Sequence, residues 1–469
     1  MKVELVFGDK WIDVNLPDGA RLITPVSGTE LKPVKDLAST IQMALSSPLD
    51  AKPLHEFVKP SWKITIAFDD PTVPCYAPVW ETAISIILEE LRKAGVGKSQ
   101  ITLLCANALH RKFRLSELET ILGSSVVKEF GDRILCHDAE DRSNIIYLGK
   151  TPSGYDVEIN RLVVDSDLTI YVNALSTGFN GGWKSICVGL STWRSIRWHH
   201  TPEIMTTSLV KNPLHEILNE MGSLVESKLG SEKIFKIETL LANPFEVSNI
   251  WAGSVNATRR EALNVLRANM PPRRSLLEEK ADVICYGVPN WSPYAAFGSM
   301  TPILTLISTG LGYLGGVIEA IGKPGCSVVM ATPCKNEWDD IYHPSHREIW
   351  EHILTRSLDP SEIMHEYAEQ FAARIDLINK YRFEYAFHPV HGILALHPLK
   401  RLRHAGQVFI AGAQDPELVK HLGFIWTRTV EEAVDKAQSI HGKDALIACV
   451  QYPMMVTGNK SRLKFNIRY

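Results

Sequence analysis

Residues 63–110 read KITIAFDDPTVPCYAPVWETAISIILEELRKAGVGKSQITLLCANALH. The run KITIAF at 63–68 is β-like and stops at Asp69 and Asp70. VWETAISIILEELRKAG at 79–95 repeats apolar residues with a helical period and ends on a glycine. ITLLCANALH at 101–110 is a second strand running into polar residues. Strand, helix and strand at this spacing predict a mostly parallel sheet. Ligands of such sheets collect at the carboxyl ends of strands, where Asp70 and His110 fall.

The alternation extends both ways. KVELVF and WIDVNL form a hairpin over 2–15 with GDK as its turn, and 34–46 reads as a helix. A helix at 115–122, a strand near 133–136 and the strand DLTIYVNAL at 167–175 follow. A second alternation starts near 281, with strands at 281–287, 326–333, 407–413 and 445–453. Helices at 300–321, 345–356, 361–379 and 429–440 lie between them. NMPPRRSLLEEK at 269–280 is polar, holds a proline pair and reads as the linker. The expected fold is therefore two α/β domains with mostly parallel sheets and an active-site cleft between them. The boundaries are 1–272 for the first domain, 279–453 for a second domain and 454–469 for a tail.

Composition narrows the function. Hydrophobic residues make 45% and charged residues 22%, as in globular domains. Lys plus Arg number 50 against 53 Asp plus Glu, a net charge of −3. Proteins that bind nucleic acid through phosphate neutralisation are more basic, so nucleic acid is not an expected partner. None of the eight cysteines forms C-x-x-C, and MKVELVFGDKW lacks the apolar core of a secretion signal. A cytoplasmic protein with reduced thiols is expected. Residues 296–318 carry no charge but include five glycines and a proline, which favours a buried helix over a membrane span.

Residues 173–200, NALSTGFNGGWKSICVGLSTWRSIRWHH, carry the chemistry. Gly178, Gly181 and Gly182 precede Lys184, and glycine-rich backbone can approach a phosphate. The Walker spacing is absent, so on residues alone a glycine turn with a solvated lysine is the better reading. RWHH likewise reads as a surface pair, with one histidine partly buried.

The stretch resembles the nickel-dependent lactate racemases. Phe179-Asn180-Gly181-Gly182-Trp183-Lys184 is similar to their F-S-G-G-R-K segment, Ala108-Leu109-His110-Arg111 to G-L-H-R, and Asp70-Pro71-Thr72-Val73-Pro74 to D-x-T-R-P. The likeness implies a nickel-pincer nucleotide attached covalently through Lys184. It implies His200 as the nickel ligand, with His199 as a competitor. It also implies His110 as general acid and base, with Asp70, Thr72, Gly181 and Gly182 as cofactor contacts. For Lys184 to react, Phe179, Trp183 and Ile186 would have to desolvate its amine. The expected partners are a small hydroxy acid or polyol and the proteins that build the cofactor, with no membrane.

The sequence also departs from that pattern. The second catalytic histidine of the family is Ala174 here, and the carboxylate-binding arginine is Val73. A gapped alignment sets Ala296 and Ser299 where a Gln and a Lys stand in the family. The expected activity is therefore racemisation or epimerisation of a hydroxy acid or sugar-acid-like substrate by proton-coupled hydride transfer, not of lactate. The alternative is a cofactor-binding homologue with one-sided oxidoreductase activity or no turnover. A replacement base would come from His388, His391, His343 or His346, with Tyr385 as a relay. Trp183, Trp291 and Tyr294 would orient a larger substrate through apolar contacts.

Overall fold

The computed structural model describes residues 1–24, 31–269 and 277–451. Most of the expected linker, the end of the strand expected at 445–453 and the tail at 454–469 lie outside them. The chain opens with β1 (Lys2–Phe7), β2 (Lys10–Asn15) and β3 (Arg21–Ile23). β4 (Ile64–Asp69), β5 (Ile101–Ala106), β6 (Ile134–Cys136), β7 (Ile145–Lys150) and β8 (Asp156–Asn160) come next. β9 (Leu168–Leu175), β10 (Ile234–Asn243) and β11 (Glu246–Gly253) complete the first half. β12 (Ala281–Gly287), β13 (Gly322–Ala331), β14 (Gln407–Ala411), β15 (Ile425–Thr427) and β16 (Ile447–Val450) form the second.

The chain divides into two compact units. One contains the described residues of Glu30–Met270 together with Ile378–His388. Its sheet has the order β11-β10-β9-β4-β5-β6, with only β11 antiparallel. β4 lies between β5, which follows it, and β9, which comes after β6. The winding direction reverses between β4 and β9, and a crevice opens at the carboxyl ends of such a pair. The helix Val79–Lys93 covers this sheet because Val79, Trp80, Ala83, Ile84, Ile87 and Leu91 share a buried stripe.

The other unit contains the described residues of Met1–Thr29, Pro271–Leu377 and Pro389–Tyr469. Its sheet has the order β15-β14-β13-β12-β16-β3 and is parallel throughout. The β1–β2 hairpin packs Val3, Leu5 and Val14 into the same core as Val283, Val329, Phe409 and Ala433.

The expected domain 1–272 is therefore corrected at its start. Residues 1–24 belong to the second unit because β3 pairs with β16 through Leu22 and Cys449. Residues 378–388 belong to the first unit, against the expected 279–453. Tyr381 is fully buried there, and its hydroxyl accepts from the Ala139 N–H at 2.9 Å.

Element boundaries also shift. The strand expected at 101–110 ends at Ala106, because Ala108 takes a φ of +49° and turns the chain. The helix expected at 300–321 is a π-helix over Ile303–Leu314, a short 3-10 turn and an α-helical end at Ile318–Ile321. By composition Ile303–Ile321 could cross a membrane, but most of it is buried in the second unit.

Candidate active site

β4 ends on two adjacent carboxylates that point to different partners. Asp69 bridges the reversal point: its Oδ1 accepts from the Tyr171 hydroxyl at 2.9 Å and its Oδ2 from the Ala174 N–H at 2.8 Å. Burial pushes its carboxyl up to about 6, although the charge of Lys236 holds it down. Asp70 is 2% exposed. Its Oδ1 accepts from the N–H of Thr72 at 2.9 Å and from the Thr72 hydroxyl at 2.5 Å. Its Oδ2 lies 2.7 Å from Nδ1 of His110, and the Thr72 hydroxyl is 3.2 Å from the same nitrogen.

His110 reaches this contact from the turn after β5. The Asn107 side chain donates to the His110 carbonyl at 3.1 Å, and the Ala108 N–H donates to the Gly189 carbonyl at 2.9 Å. Gly189 follows the Lys184 segment, so one hydrogen bond joins the two candidate loops. A Cβ at Gly189 would sit 2.5 Å from the Ser185 carbonyl and 3.0 Å from the Tyr171 hydroxyl, so only glycine fits there.

Lys184 begins a short helix, Lys184–Cys187, and its Nζ lies 4.6 Å from the centre of the Phe179 ring. Its side chain is partly exposed at the site, yet desolvation pulls the ammonium down to about 8. Asp69 and Asp70 oppose that shift, while Lys236 and Arg259 add to it. Phe179 therefore contributes to the apolar setting expected of it. Trp183 does not offer a substrate-binding face, as a correction to the expectation. It is 2% exposed, packs where a Cβ of Gly222 would lie, and donates to Asn256 Oδ1 at 2.9 Å.

Gly181 and Gly182 have φ of +87° and +56°. A Cβ on Gly181 would lie 2.2 Å from Glu238 Oε1, and the Gly182 N–H donates to both Glu238 oxygens at 3.2 Å. The glycines thus bring this loop onto Glu238, and the Gly182 N–H is spent there. Lys236, Glu238 and Arg259 underlie the loop, and sequence reading missed all three. The signal was present: IFKIETLLAN at 234–243 is a strand-like run ahead of the turn residues Asn243 and Pro244.

His199 and His200 share one contact, Nδ1 to Nδ1 at 2.7 Å. His199 is 0% exposed and its Nε2 has no hydrogen-bond partner. Burial, helped by the charge of Lys184, holds it down to about 3. His388 is buried in the same unit, with Nε2 3.2 Å from Glu140 Oε1 and its N–H on the Leu109 carbonyl. Phe387 packs 5.8 Å from the His110 ring. His343, His346 and His391 lie in the other unit. His343 and His346 stack at 4.3 Å, and His391 meets Tyr294 edge-on at 4.5 Å. Tyr385, at a φ of +64°, holds Arg114 over its ring.

Residues 7–210 match the lactate racemase N-terminal domain family. Over 425 residues the chain is 22% identical to the lactate racemase of Lactiplantibacillus plantarum, covering 88% of each protein. Over these spans the chain is similar to the lactate racemases. A second such relative, the lactate racemase of Thermoanaerobacterium thermosaccharolyticum, is 24% identical over 262 residues, 54% of this chain and 59% of that one. The lactate racemase apoprotein structure from T. thermosaccharolyticum shares the fold at a TM-score of 0.69 and 21% identity, covering 97% of this chain and 99% of that one. A protein structure from Thermotoga maritima is similar at a TM-score of 0.57 and 14% identity, covering 89% and 97%. Asp70, His110, Lys184 and His200 all fall within the matched 7–210, whereas Lys236, Glu238 and Arg259 lie beyond it.

Proposed function

We propose that the chain is a racemase or epimerase of the lactate racemase type, acting on a hydroxy acid or sugar-acid-like molecule larger than lactate. The Asp70–His110 contact of 2.7 Å carries this reading. A carboxylate on Nδ1 fixes the proton there, so Nε2 becomes the basic nitrogen. His110 then takes the substrate hydroxyl proton as the carbon is oxidised and returns it on reduction.

The reading extends to a nickel-pincer nucleotide, and the residues present fit such a group. Lys184, at about 8, presents far more neutral amine than an ordinary lysine and is the attachment point. The His199–His200 pair supplies the protein imidazole, His200 by resemblance and His199 by its partnerless, buried Nε2. No group of three or more His, Cys, Asp or Glu that could hold a metal occurs among the described residues, so nickel would arrive with donors of its own. Bound there, the cofactor would supply the two-electron acceptor and donor for an alcohol–ketone interconversion. By the resemblance, Asp70, Thr72, Gly181 and Gly182 would contact the cofactor.

Ala174 and Val73 direct the substrate choice. Ala174 is 0% exposed and gives its N–H to Asp69, so it offers no acid or base. Val73 offers no charge to a carboxylate. Lactate loses a charge-assisted contact worth about 1.5–3 kcal/mol, one to two decades of binding. A larger substrate recovers orientation through several neutral contacts. Ala174 equally favours a second reading, a cofactor-bound homologue with one-sided oxidoreductase activity or no turnover.

The test is co-expression with the cofactor's biosynthetic proteins, followed by intact mass, nickel content and a chiral substrate panel. We expect an adduct that Lys184→Ala abolishes. We also expect a loss of nickel in His200→Ala, with His199→Ala as the comparison that assigns the ligand. Unchanged adduct mass in Lys184→Ala would overturn the attachment. Brisk lactate racemisation would overturn the substrate class, and ketone formation without inversion would select the second reading.

A further inference from the structure

The segment that carries Lys184 rests on buried charge from outside the matched region. Lys236 on β10 is 1% exposed. Its ammonium donates to the Ser185 hydroxyl and, at 3.5 Å, to the Gly182 carbonyl. It lies 3.7 Å from Glu238 and 4.5 Å from the centre of the Tyr171 ring. Gly182 and Ser185 bracket Lys184 in the chain. Glu238 is 3.8 Å from Arg259, which donates to the carbonyls of Asn180 and Gly178. Burying an ammonium is costly, and a neutral donor would hold Ser185 and Gly182 without that cost. The cation itself therefore calls for an explanation.

We propose that Lys236 is a positioning residue that holds a second positive charge against the Lys184 segment and so keeps the Lys184 amine available as a nucleophile. The proposal rests on the reading of Lys184 as the attachment point. A lysine beside another cation gives up its proton more readily. The groups around Lys184 come from every packed element. Burial acts first. Asp69 and Asp70 at the end of β4 favour the charged amine, while Lys236 of β10 and Arg259 of the helix Val255–Asn269 disfavour it. His199 and His215 are both held down to about 3 and stay neutral above that. Burial lowers Lys236 itself to about 8, with Glu238 and Asp69 opposing, so much of its charge survives at neutral pH.

The experiment is trace labelling of the cofactor-free protein with acetic anhydride from about pH 6 to about pH 11, with Lys184 read by peptide mass spectrometry. Wild-type labelling should be half-maximal at about pH 8. Lys236→Gln keeps a donor for Ser185 but removes the charge. Its midpoint should rise by about one unit, a tenfold loss of neutral amine at pH 7, with the plateau rate at high pH unchanged. Lys236→Arg should stay at the wild-type midpoint. An unmoved midpoint in Lys236→Gln overturns the proposal, as does an equal shift in Lys236→Arg. A plateau that rises together with the midpoint also overturns it, since that reports an opened loop. If Lys236→Gln does not fold, Lys236→Met replaces it with the same criteria. No cofactor is used, so failure here is separate from failure of attachment, which shows as a missing adduct after co-expression.

Discussion

Asp70 divides its work between two oxygens, one for Thr72 and one for His110. Asp70→Asn puts an amide where His110 needs an acceptor, and the imidazole then loses its fixed tautomer. Turnover of the loaded enzyme should fall by about two to four decades, while the Lys184 adduct mass persists. Chiral chromatography of substrate and product measures the first, and intact mass the second. A loss smaller than about tenfold would remove Asp70 from the proton-handling unit. Asp70 and His110 stood out in the sequence as polar residues at the ends of apolar runs, whereas Thr72 came only with the resemblance. The difference between Asp69 and Asp70 was not. Neighbouring strand residues face opposite sides, and only the sheet order tells which side meets β9 and which meets His110.

The loop 178–184 owes its shape to elements around it. Gly222 lies inside the helix Pro213–Leu229, where alanine would ordinarily add about 1 kcal/mol of helix stability. Here an added Cβ would sit 2.1 Å from Cδ2 of Trp183. Gly222→Ala should therefore destabilise, with overpacking of about 1–3 kcal/mol exceeding the propensity gain. It should also loosen the bond from Trp183 to Asn256. Thermal unfolding and tryptophan fluorescence would report both effects, and a raised melting temperature would contradict the packing. β10 escaped sequence reading because Lys236 and Glu238 occupy interior positions of a strand buried along most of its length. Charges in a sequence read as solvent-facing, and only partners distant in the chain, such as Ser185 and Arg259, make this burial tolerable. The helix at 300–321 was legible as an apolar run. Its π-helical winding was not, since it depends on tertiary contacts such as the Tyr286 hydroxyl donating to the Gly310 carbonyl at 2.9 Å.

Across the molecule, buried neutral histidines set the response to acid. Burial holds His137 at about 4, and His199, His215 and His397 at about 3. In the unfolded chain each binds its proton near 6.5. The unfolded state therefore takes up more protons as pH falls below about 6.5, and stability is lost down to about 4 for His137 and about 3 for the others. Each contributes up to about 1.4 kcal/mol per pH unit within its window. Asp69, raised to about 6, gives a partial offset of opposite sign. The urea midpoint should be clearly lower at pH 5 than at pH 7.5, and equal midpoints would show these imidazoles already accessible to protons. The parallel α/β class was legible in the alternation of strands and helices. The exchange of segments between the units was not, because pairing of β3 with β16 and burial of Tyr381 beside Ala139 join residues far apart in the chain. That exchange governs the order of events at the ribosome. The first unit lacks Tyr381 and His388 until most of the chain has been synthesised, and the second keeps β3 waiting for β16. The first unit cannot complete its core until residues 378–388 have been made, so a nascent chain halted near residue 270 should stay protease-sensitive and be protected only once those residues have emerged.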